Sequence, residues 1–288
     1  MIITSTEDKA SMNIREKFLD SKVYNFEETN FTWHENPVFK LKTKFTENEV
    51  MLGLTKDPLI FLNDLKLDKS ELNPDLLIFA SRHTSKTTRP AFLVHTTGNW
   101  TEDVNFGGES QDLSKTSALL HKAGFFSLIE QDFPPQLEKF SIDIEVTHHG
   151  PTRLEKPLIF MELGSKKEEW IISEAGELLA KVIINTIFKY LELKEEKSDI
   201  IGLGFGGAHY APNFHRLLQN KNVAMSFICP KYYIQQLNKD LIKKMIRNTL
   251  EKIDYFIIDW KGTNSDDKKY LIPLLEEFEI PIKKIKEF

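Results

Sequence analysis

Two kinds of hydrophobic pattern divide the chain. Segments 37–45 and 48–56 alternate apolar and polar residues, which is typical of strands with one buried face. From residue 74 onward the strand-like segments are instead almost continuously apolar, as in "LLIFA" at 76–80 and "LIFM" at 158–161. Such strands are usually covered on both faces of their sheet. The pattern therefore predicts a half-exposed N-terminal part followed by a buried sheet.

Amphipathic segments predict helices between most of these strands. They lie at 9–20, 112–131, 168–193, 238–253 and 266–278. Buried strands alternating with helices predict an α/β fold with a mostly parallel, mixed central sheet and helices on both faces. The alternating segments near the N-terminus predict a small antiparallel excursion. We expect residues 1–288 to form a single domain, with room for two lobes.

Polar residues stand where the buried strands end. In "IDIEVTHHGP" at 142–151 the alternation of apolar and polar residues stops at His148 and His149. The other strands are followed by Arg82, His83, His95, Asn99, Glu162, Gly206, Gly207, His209, Tyr210 and Lys261. Ligands of a parallel sheet bind beyond the carboxyl ends of its strands, so we expect these side chains to form one site. Five of the eight histidines fall at these ends, which favours a shared site over five unrelated core positions.

The composition excludes several classes of protein. The chain has 288 residues, a net charge of −5 and one cysteine, Cys229, so neither an internal disulfide nor a cysteine-rich zinc site can form. The negative charge argues against a surface that is basic throughout, although Lys and Arg concentrate at 81–90, 238–248 and 281–288. No apolar run approaches the ~18 residues of a membrane span, and no signal-peptide pattern is present. We expect a cytoplasmic monomer with no DNA or membrane partner.

The glycine run "GLGFGG" at 202–207 matches a dinucleotide-binding motif only in its spacing. Such a site needs an acidic residue about twenty positions further on, and none follows before Asp240. Pro212 also interrupts the segment where the helix of that motif should run. We interpret the glycines as positions where the backbone approaches a ligand and presents His209 and Tyr210. The G-x-S-x-G and H-E-x-x-H motifs of serine hydrolases and zincins are absent from the sequence.

Six motifs follow one another in a recognisable order. They are "SRHTS" at 81–85, "HTTGNW" at 95–100, "THHGP" at 147–151, "ELGS" at 162–165 followed by Trp170, "GFGGAHYAP" at 204–212 and "DWKG" at 259–262. Together they resemble the D-aminoacyl-tRNA deacylase family of archaea and plants. "ASMNI" at 10–14 is similar to the opening motif of that family, so the resemblance runs from Ala10 to Gly262. In one departure, Phe205 places a bulky ring where the family pattern is nearer to "GGGH".

The resemblance implies an activity, a cofactor and a fold. The activity is hydrolysis of the ester that joins a D-amino acid to the 3′ end of tRNA, which serves chirality proofreading and D-amino acid detoxification. The cofactor is zinc, Zn²⁺, with up to two ions per chain. The fold is similar to the phosphorylase/hydrolase class and has some likeness to peptidyl-tRNA hydrolase.

The chemistry of ester hydrolysis gives the polar residues their candidate roles. An aminoacyl ester needs a positioned water, a base or metal to deprotonate it, and positive charge at the oxyanion. We expect the zinc ligands to be a subset of His83, His148, His149, Glu162 and His209. The candidate catalytic residues are His83, Thr147, His148, His149 and Lys261. The candidate substrate-binding residues are Arg82, His95, Asn99, Trp170, Gly206, Gly207 and Tyr210. The residue types alone do not separate the metal ligands from the general base.

The two adjacent histidines impose a condition on the backbone. In a continuing strand His148 and His149 would point to opposite sides. Both can face one metal only if the chain turns there, as Gly150 and Pro151 permit.

Recognition of the tRNA end and of the amino acid is assigned to different residues. Cationic contacts with the tRNA end are expected from Arg82, Lys86, Arg89 and Lys261. Loops 147–151 and 204–210 are expected to contact the aminoacyl group. The candidates for stacking on the terminal adenine are Trp100, Trp170 and Tyr210. Two other functions fit the same pattern: a metal-dependent hydrolase or phosphorylase of a small nucleoside or peptide, and a non-catalytic module that binds the tRNA end.

Overall fold

The chain forms two principal sheets. A computed structural model describes residues 1–43, 46, 48–86 and 88–288. Its strands are β1 (Ile2–Ser5), β2 (Asn25–Trp33), β3 (Asn36–Lys42), β4 (Met51–Thr55), β5 (Leu77–Arg82), β6 (Ala91–His95), β7 (Gly98–Asn99), β8 (Asp112–Leu113), β9 (Ser141–Ile144), β10 (Leu158–Leu163), β11 (Ile200–Phe205), β12 (Val223–Cys229), β13 (Tyr255–Ile258) and β14 (Ile282–Lys284). Its α-helices are α1 (Lys9–Leu19), α2 (Ala118–Ile129), α3 (Lys167–Trp170), α4 (Ser173–Glu196), α5 (Pro212–Asn220), α6 (Lys239–Asn248) and α7 (Ser265–Glu276).

The larger sheet has eight strands in the order β2-β3-β4-β1-β5-β10-β6-β9. Strands β4, β1, β5 and β10 are parallel, whereas β6 and β9 run together in the direction opposite to β10. The second sheet, β12-β11-β13-β14, is parallel throughout, and β7 pairs with β8. The predicted α/β class, with a mostly parallel, mixed sheet and helices, is confirmed.

The antiparallel part near the N-terminus is larger than the pattern predicts. Segments 37–45 and 48–56 contribute β3 and β4, which pair antiparallel; residues 44 and 45 of the first segment lie outside the described residues. Strand β4 also pairs in parallel with β1, and β2 adds a hairpin with β3. Strand β2 was missed because its sequence, "NFEETNFTW", is mostly polar and most of its side chains remain at least partly exposed.

The helices differ from the predicted ones in several places. The helix predicted at 112–131 begins only at Ala118, because Asp112 and Leu113 pair with β7 as strand β8, and the helix predicted at 238–253 ends at Asn248. The helix predicted at 168–193 is divided into α3 and α4, because the chain leaves helical geometry at Ile171 and Ile172. Helix α5 was not predicted, and Pro212 stands at its first position. Proline is favoured there because the first turn of a helix leaves its N–H groups unbonded in any case. Pro212 therefore starts a helix.

Hydrophobic clusters cover both faces of the larger sheet. The larger cluster joins the two sheets and helices α1, α2 and α4, and includes Ile78 and Ile159. The smaller cluster includes Phe79, Phe160 and leucines of the loop between β4 and β5. Successive strand residues face opposite sides, so this loop covers the face that the helices leave open. No helix in the described part of the chain is long and apolar enough to cross a membrane.

Candidate active site

A cavity of about 600 Å³ opens between segments that belong to both sheets. Its wall is formed by the ends of β5 and β7, by β10, by the chain after β9 and by the loops after β11 and β12. The predicted site residues on this wall are Arg82, His83, Asn99, His148, His149, Glu162 and His209. The fold therefore brings together all five of the predicted metal ligands.

His95 and Glu162 meet over the face of the larger sheet that the helices leave open. Antiparallel pairing of β6 with β10 puts His95 opposite Phe160, two residues before Glu162 on the same face. His95 Nε2 lies 3.6 Å from Glu162 Oε1, and both side chains are buried. Because β6 and β9 run against β10, the expectation of one shared carboxyl edge is wrong for His95, His148 and His149. These residues converge across the sheet face instead.

The segment 145–150 connects the two sheets. The backbone N–H of Val146 donates to the carbonyl oxygen of His209 at 2.9 Å, and that of Thr147 donates to Ile228 at 3.0 Å. Ile228 lies in β12 of the smaller sheet, whereas β9, just before this segment, closes the edge of the larger one. The cavity is thus built at the junction of the sheets.

The backbone turn required by the two adjacent histidines is present. His149 has a φ of 43°, in the left-handed region that non-glycine residues rarely adopt. As a result the rings of His148 and His149 lie with centroids 4.5 Å apart. The ring of His148 is also 4.3 Å from that of His95. The three imidazoles therefore form one group beside the cavity.

Two buried carboxylates lie among the histidines. Glu162 Oε2 is 3.2 Å from His83 Nδ1, and its Oε1 is 4.0 Å from His149 Nε2. Glu145 Oε1 is 2.9 Å from His209 Nε2, and its Oε2 is 3.7 Å from His83 Nδ1. We refer to the following set as the histidine–glutamate cluster: His83, His95, Glu145, His148, His149, Glu162 and His209.

Burial and neighbouring charges set different pKa directions within the cluster. Burial, reinforced by His95 and His149, lowers the pKa of His148 well below its ordinary value, and burial lowers that of His149 to about 4. For His83 and His95 burial is outweighed by Glu162, which raises the pKa of both. Although burial favours the neutral acid, His83 and His95 hold the pKa of Glu162 below its usual range. His148 and His149 are therefore neutral at pH 7, the form in which imidazole binds a metal.

The cluster contains three overlapping sets of atoms that could bind a metal. Within each set the ligand atoms lie within 4.8 Å of one another. The sets are His95, His148 and His149; Glu145, His148 and His209; and His83, Glu145 and Glu162. Within the cluster, His95 Nε2 and Glu145 Oε2 are buried and have no hydrogen-bond partner. Ligand atoms of this kind fit a metal ion.

Thr147 is placed away from the cavity wall. Its side chain is buried, and its hydroxyl oxygen lies 2.8 Å from Thr96 Oγ1. The same oxygen accepts a hydrogen bond from the backbone N–H of Ile228 at 3.0 Å. These contacts give Thr147 a part in joining the sheets.

Gly206, Gly207 and Lys261 also lie apart from the cavity wall. Gly206 has a φ of 101°, and a Cβ there would lie 2.1 Å from Thr263 Oγ1. A Cβ at Gly207 would meet a carboxylate oxygen of Asp259 at 3.2 Å. The glycines thus allow two loops of the smaller sheet to pack closely, and Lys261 is exposed on one of them.

The two tryptophans expected near the substrate hold the backbone of the site. The indole N–H of Trp170 donates to the carbonyl oxygen of His83 at 2.8 Å, and that of Trp100 donates to Thr147 at 2.7 Å. Both indoles are buried. Tyr210 is closer to the chemistry, because its hydroxyl lies 3.4 Å from His83 Nε2.

Cations of the segment 81–90 reach the cavity unequally. Arg82 and Lys86 line it, and Arg82 Nη1 donates to the carbonyl oxygen of Glu7 at 2.8 Å. Arg89 instead forms an ion pair with Asp143. Of the cations assigned to the tRNA end, Arg82 and Lys86 are thus the ones on the wall.

Sequence reasoning missed three residues of the site. Glu145 belongs to two of the ligand sets, and its position in the strand just before the two histidines was the available signal. Asp8 lies on the cavity wall and accepts a hydrogen bond from the backbone N–H of Arg82 at 2.9 Å; burial raises its pKa. The hydroxyl of Tyr232 is 3.1 Å from His209 Nδ1, a contact that no sequence pattern indicates.

Comparison with known proteins decides the family. Residues 70–283 match the family model described as D-aminoacyl-tRNA deacylase. A D-aminoacyl-tRNA deacylase of Thermococcus onnurineus is 35% identical over 280 residues, which are 96% of both chains. The chain belongs to the D-aminoacyl-tRNA deacylase family. A Pyrococcus abyssi deacylase is 33% identical over 96% of both chains, and a Methanocaldococcus jannaschii deacylase is 35% identical over 70% of this chain and 79% of its own.

The deacylase family membership confirms the resemblance read from the motifs, and the chain is an enzyme of this family. A solved structure, described as a conserved protein of unknown function, is 30% identical and has a TM-score of 0.82; the match covers 99% of this chain and 95% of that one. A weaker match, with a TM-score of 0.39 and 14% identity, is to a 5′-methylthioadenosine/S-adenosyl homocysteine nucleosidase of Campylobacter jejuni and covers 66% of this chain and 97% of that one.

Proposed function

We propose that this enzyme hydrolyses the ester bond of D-aminoacyl-tRNA with the reacting carbonyl held against the histidine–glutamate cluster. The observation that carries this placement is a pair of unused ligand atoms, His95 Nε2 and Glu145 Oε2. A buried polar atom without a partner costs free energy, so its retention indicates an ion or water in the working enzyme. The cavity of about 600 Å³ is lined by their neighbours Glu162 and His209 and has room for an aminoacyl group.

The donor set of the cluster fits zinc. Imidazole nitrogens and carboxylate oxygens are zinc ligands, and the low pKa values of His148 and His149 keep both rings in the binding form. The ligand sets share Glu145 and His148, so we propose one ion or two neighbouring ions per chain. Bound zinc supplies a water whose pKa falls to about 7.

Glu145 is the residue that we assign to the attacking water. An ion held by the set His95, His148 and His149 leaves Glu145 off the metal. Glu145 Oε1 is engaged by His209 Nε2 at 2.9 Å, so its Oε2 takes the proton of the water. The water oxygen bonds to the ester carbon, the bond to the terminal ribose oxygen breaks, and Glu145 returns the proton to that oxygen. Arg82, held at the wall by the carbonyl of Glu7, supplies positive charge for the developing oxyanion.

The handedness of the amino acid is read by the wall next to the cluster. His148, His149, Gly98 and Trp100 line this part of the cavity. Gly98 is closely packed, since a Cβ there would lie 2.3 Å from Leu113 Cδ2. We propose that this rigid wall accepts the side chain of a D-amino acid and clashes with that of an L-amino acid, which would provide chirality proofreading.

Parallel incubation with D-tyrosyl-tRNA and L-tyrosyl-tRNA tests the proposal. We expect release of free D-tyrosine and tRNA, with the L-ester hydrolysed much more slowly. Equal hydrolysis of the two esters would contradict chirality proofreading, and hydrolysis of neither would contradict the proposed activity. Because its substrate is charged tRNA, we propose that the enzyme acts in the cytoplasm.

A further inference from the structure

Two exposed aromatic side chains line the cavity from separate parts of the fold. Phe106 belongs to the loop between β7 and β8 and is 68% exposed, and Tyr232 follows β12 and is 50% exposed. Large aromatic side chains are usually buried in a folded protein, and rings left exposed together on a cavity wall indicate a binding surface.

Ordered contacts hold Phe106 in its exposed position. Its carbonyl oxygen accepts a hydrogen bond from the N–H of Gly150 at 3.0 Å, and the carbonyl of Gly107 accepts from Asn99 Nδ2 at 2.8 Å. Gly107 has a φ of 81°, and a Cβ there would lie 1.9 Å from the carbonyl oxygen of Ile60. The neighbouring backbone is therefore closely packed, and the Phe106 ring extends from an ordered part of the loop.

Tyr232 is connected to the chemistry of the site. Its hydroxyl lies 3.1 Å from His209 Nδ1, and His209 in turn contacts Glu145 at 2.9 Å. A planar group lying on the Tyr232 ring would therefore be connected through Tyr232 and His209 to the carboxylate of Glu145. Arg82 and Lys86 line the same cavity and add two positive charges.

The tryptophans expected to stack on the terminal adenine cannot do so. Trp100 is 1% exposed and Trp170 is 9% exposed, and both indole N–H groups donate to backbone carbonyls of the site. Neither indole presents a free face to a base.

We propose that Phe106 and Tyr232 stack on the unpaired bases at the 3′ end of tRNA, while Lys86 contacts its phosphates. The inference rests on the proposed function, because it places the terminal nucleotide at the cavity wall with its ester toward the cluster. Aromatic side chains bind single-stranded bases through their π-faces, and cations follow the backbone. The two rings are thus determinants of substrate affinity that take no part in the bond-breaking step.

Variants of Phe106 test the stacking role. Phe106→Ala should raise KM for D-tyrosyl-tRNA roughly 5- to 150-fold, the range for losing one base stack, with kcat near the wild-type value. Phe106→Trp keeps an aromatic face and should restore KM. Binding of the trinucleotide CCA can be measured with a fluorescent label on the trinucleotide, whose signal does not depend on the tryptophans of the protein. This binding should weaken by the same factor in Phe106→Ala. The matched control is Phe61→Ala, which removes a 48% exposed phenylalanine from outside the cavity wall.

Variants of Tyr232 separate its ring from its hydroxyl. Tyr232→Phe loses the contact with His209 and keeps the ring, so KM should remain near wild type. Tyr232→Ala loses both, and its KM should rise as in Phe106→Ala. Unchanged KM and unchanged CCA binding in both alanine variants would overturn the inference. If wild-type enzyme left D-tyrosyl-tRNA intact, the proposed function would fail, and CCA binding would still decide whether these rings stack on bases.

Discussion

The floor and the mouth of the cavity differ in how deeply their side chains are buried. The floor is the part of the histidine–glutamate cluster that lines the cavity, namely His83, His148, His149, Glu162 and His209. Glu145 (1% exposed) and His95 (0% exposed) lie behind these residues, within ion-pair distance of them. At the mouth, Phe106 and Tyr232 are at least half exposed. A buried, mutually fixed cluster suits a reaction, whereas exposed rings and cations suit a long, flexible ligand. The difference predicts that substitutions in the cluster change kcat and mouth substitutions change KM.

The largest effect is expected in the cluster. Glu145→Gln keeps the shape of the side chain but removes its charge and its ability to take a proton. We expect kcat for D-tyrosyl-tRNA to fall by something like 10²–10⁴-fold, the range for losing a general base, with KM nearly unchanged. Steady-state kinetics and a melting curve on the same preparation measure both quantities.

The neighbouring residue provides the control for this variant. Ile144 is fully buried at the end of β9, so Ile144→Ala should cost roughly 2–5 kcal/mol of unfolding free energy. The remaining folded enzyme should keep its kcat. If Glu145→Gln instead melted early and lost activity only in proportion to unfolding, Glu145 would belong to the core of the protein.

A smaller effect is expected at the mouth. Lys86→Ala should raise KM several-fold and reduce the slope of log KM against log salt concentration by about 0.7, the contribution of one single-strand phosphate contact. The ratio of D-ester to L-ester hydrolysis should stay the same, because we propose that handedness is read next to the cluster and away from Lys86. Lys22→Ala, at an exposed position outside the cavity wall, is the control. An unchanged KM and salt slope would place tRNA contacts elsewhere.

The smallest effect on activity is expected from a buried histidine outside the cluster. Burial lowers the pKa of His121 to about 4, so the unfolded chain takes up this proton near pH 6.5 while the folded protein does not. Stability from this group is therefore complete above pH 6.5 and is lost as pH falls toward 4, by about 3 kcal/mol in total for a pKa moved from 6.5 to about 4.

His121→Gln should flatten that part of the stability curve. The amide can still donate to the carbonyl oxygen of Met225, which His121 Nδ1 contacts at 2.8 Å. Activity at pH 7 should stay near wild type, in contrast to Glu145→Gln. Denaturant unfolding at several pH values between 4 and 7 measures the difference. An equally steep curve in the variant would show that other groups carry the acid sensitivity.

The class of fold could be predicted from the sequence because buried strands have a distinctive, almost entirely apolar composition. Strands such as β5 and β10 are covered on both faces and read as continuous apolar runs. Strand β2 is largely exposed, so its composition does not show that it is a strand. Strand direction could not be predicted either, because the antiparallel run of β6 and β9 depends on how distant segments pair.

Much of the site could be predicted for a different reason. Histidines are rare enough that five of them at strand ends indicate a shared purpose. Glu145 was missed because a glutamate in an alternating strand reads as a solvent-facing residue, and only the junction of the sheets buries it. Trp100 and Trp170 were assigned to stacking because their sequence position does not reveal that their indoles are buried.

If the histidine–glutamate cluster binds zinc, as we propose, the zinc content of the purified enzyme will show it. Protein purified without a histidine tag should carry one or two zinc ions per chain by elemental analysis. His148→Ala, which removes a ligand from two of the three sets, should remain folded and carry less zinc. Chelation should remove zinc and activity together, and added zinc should restore both. Full activity in metal-free wild-type protein would show that the reaction does not need zinc.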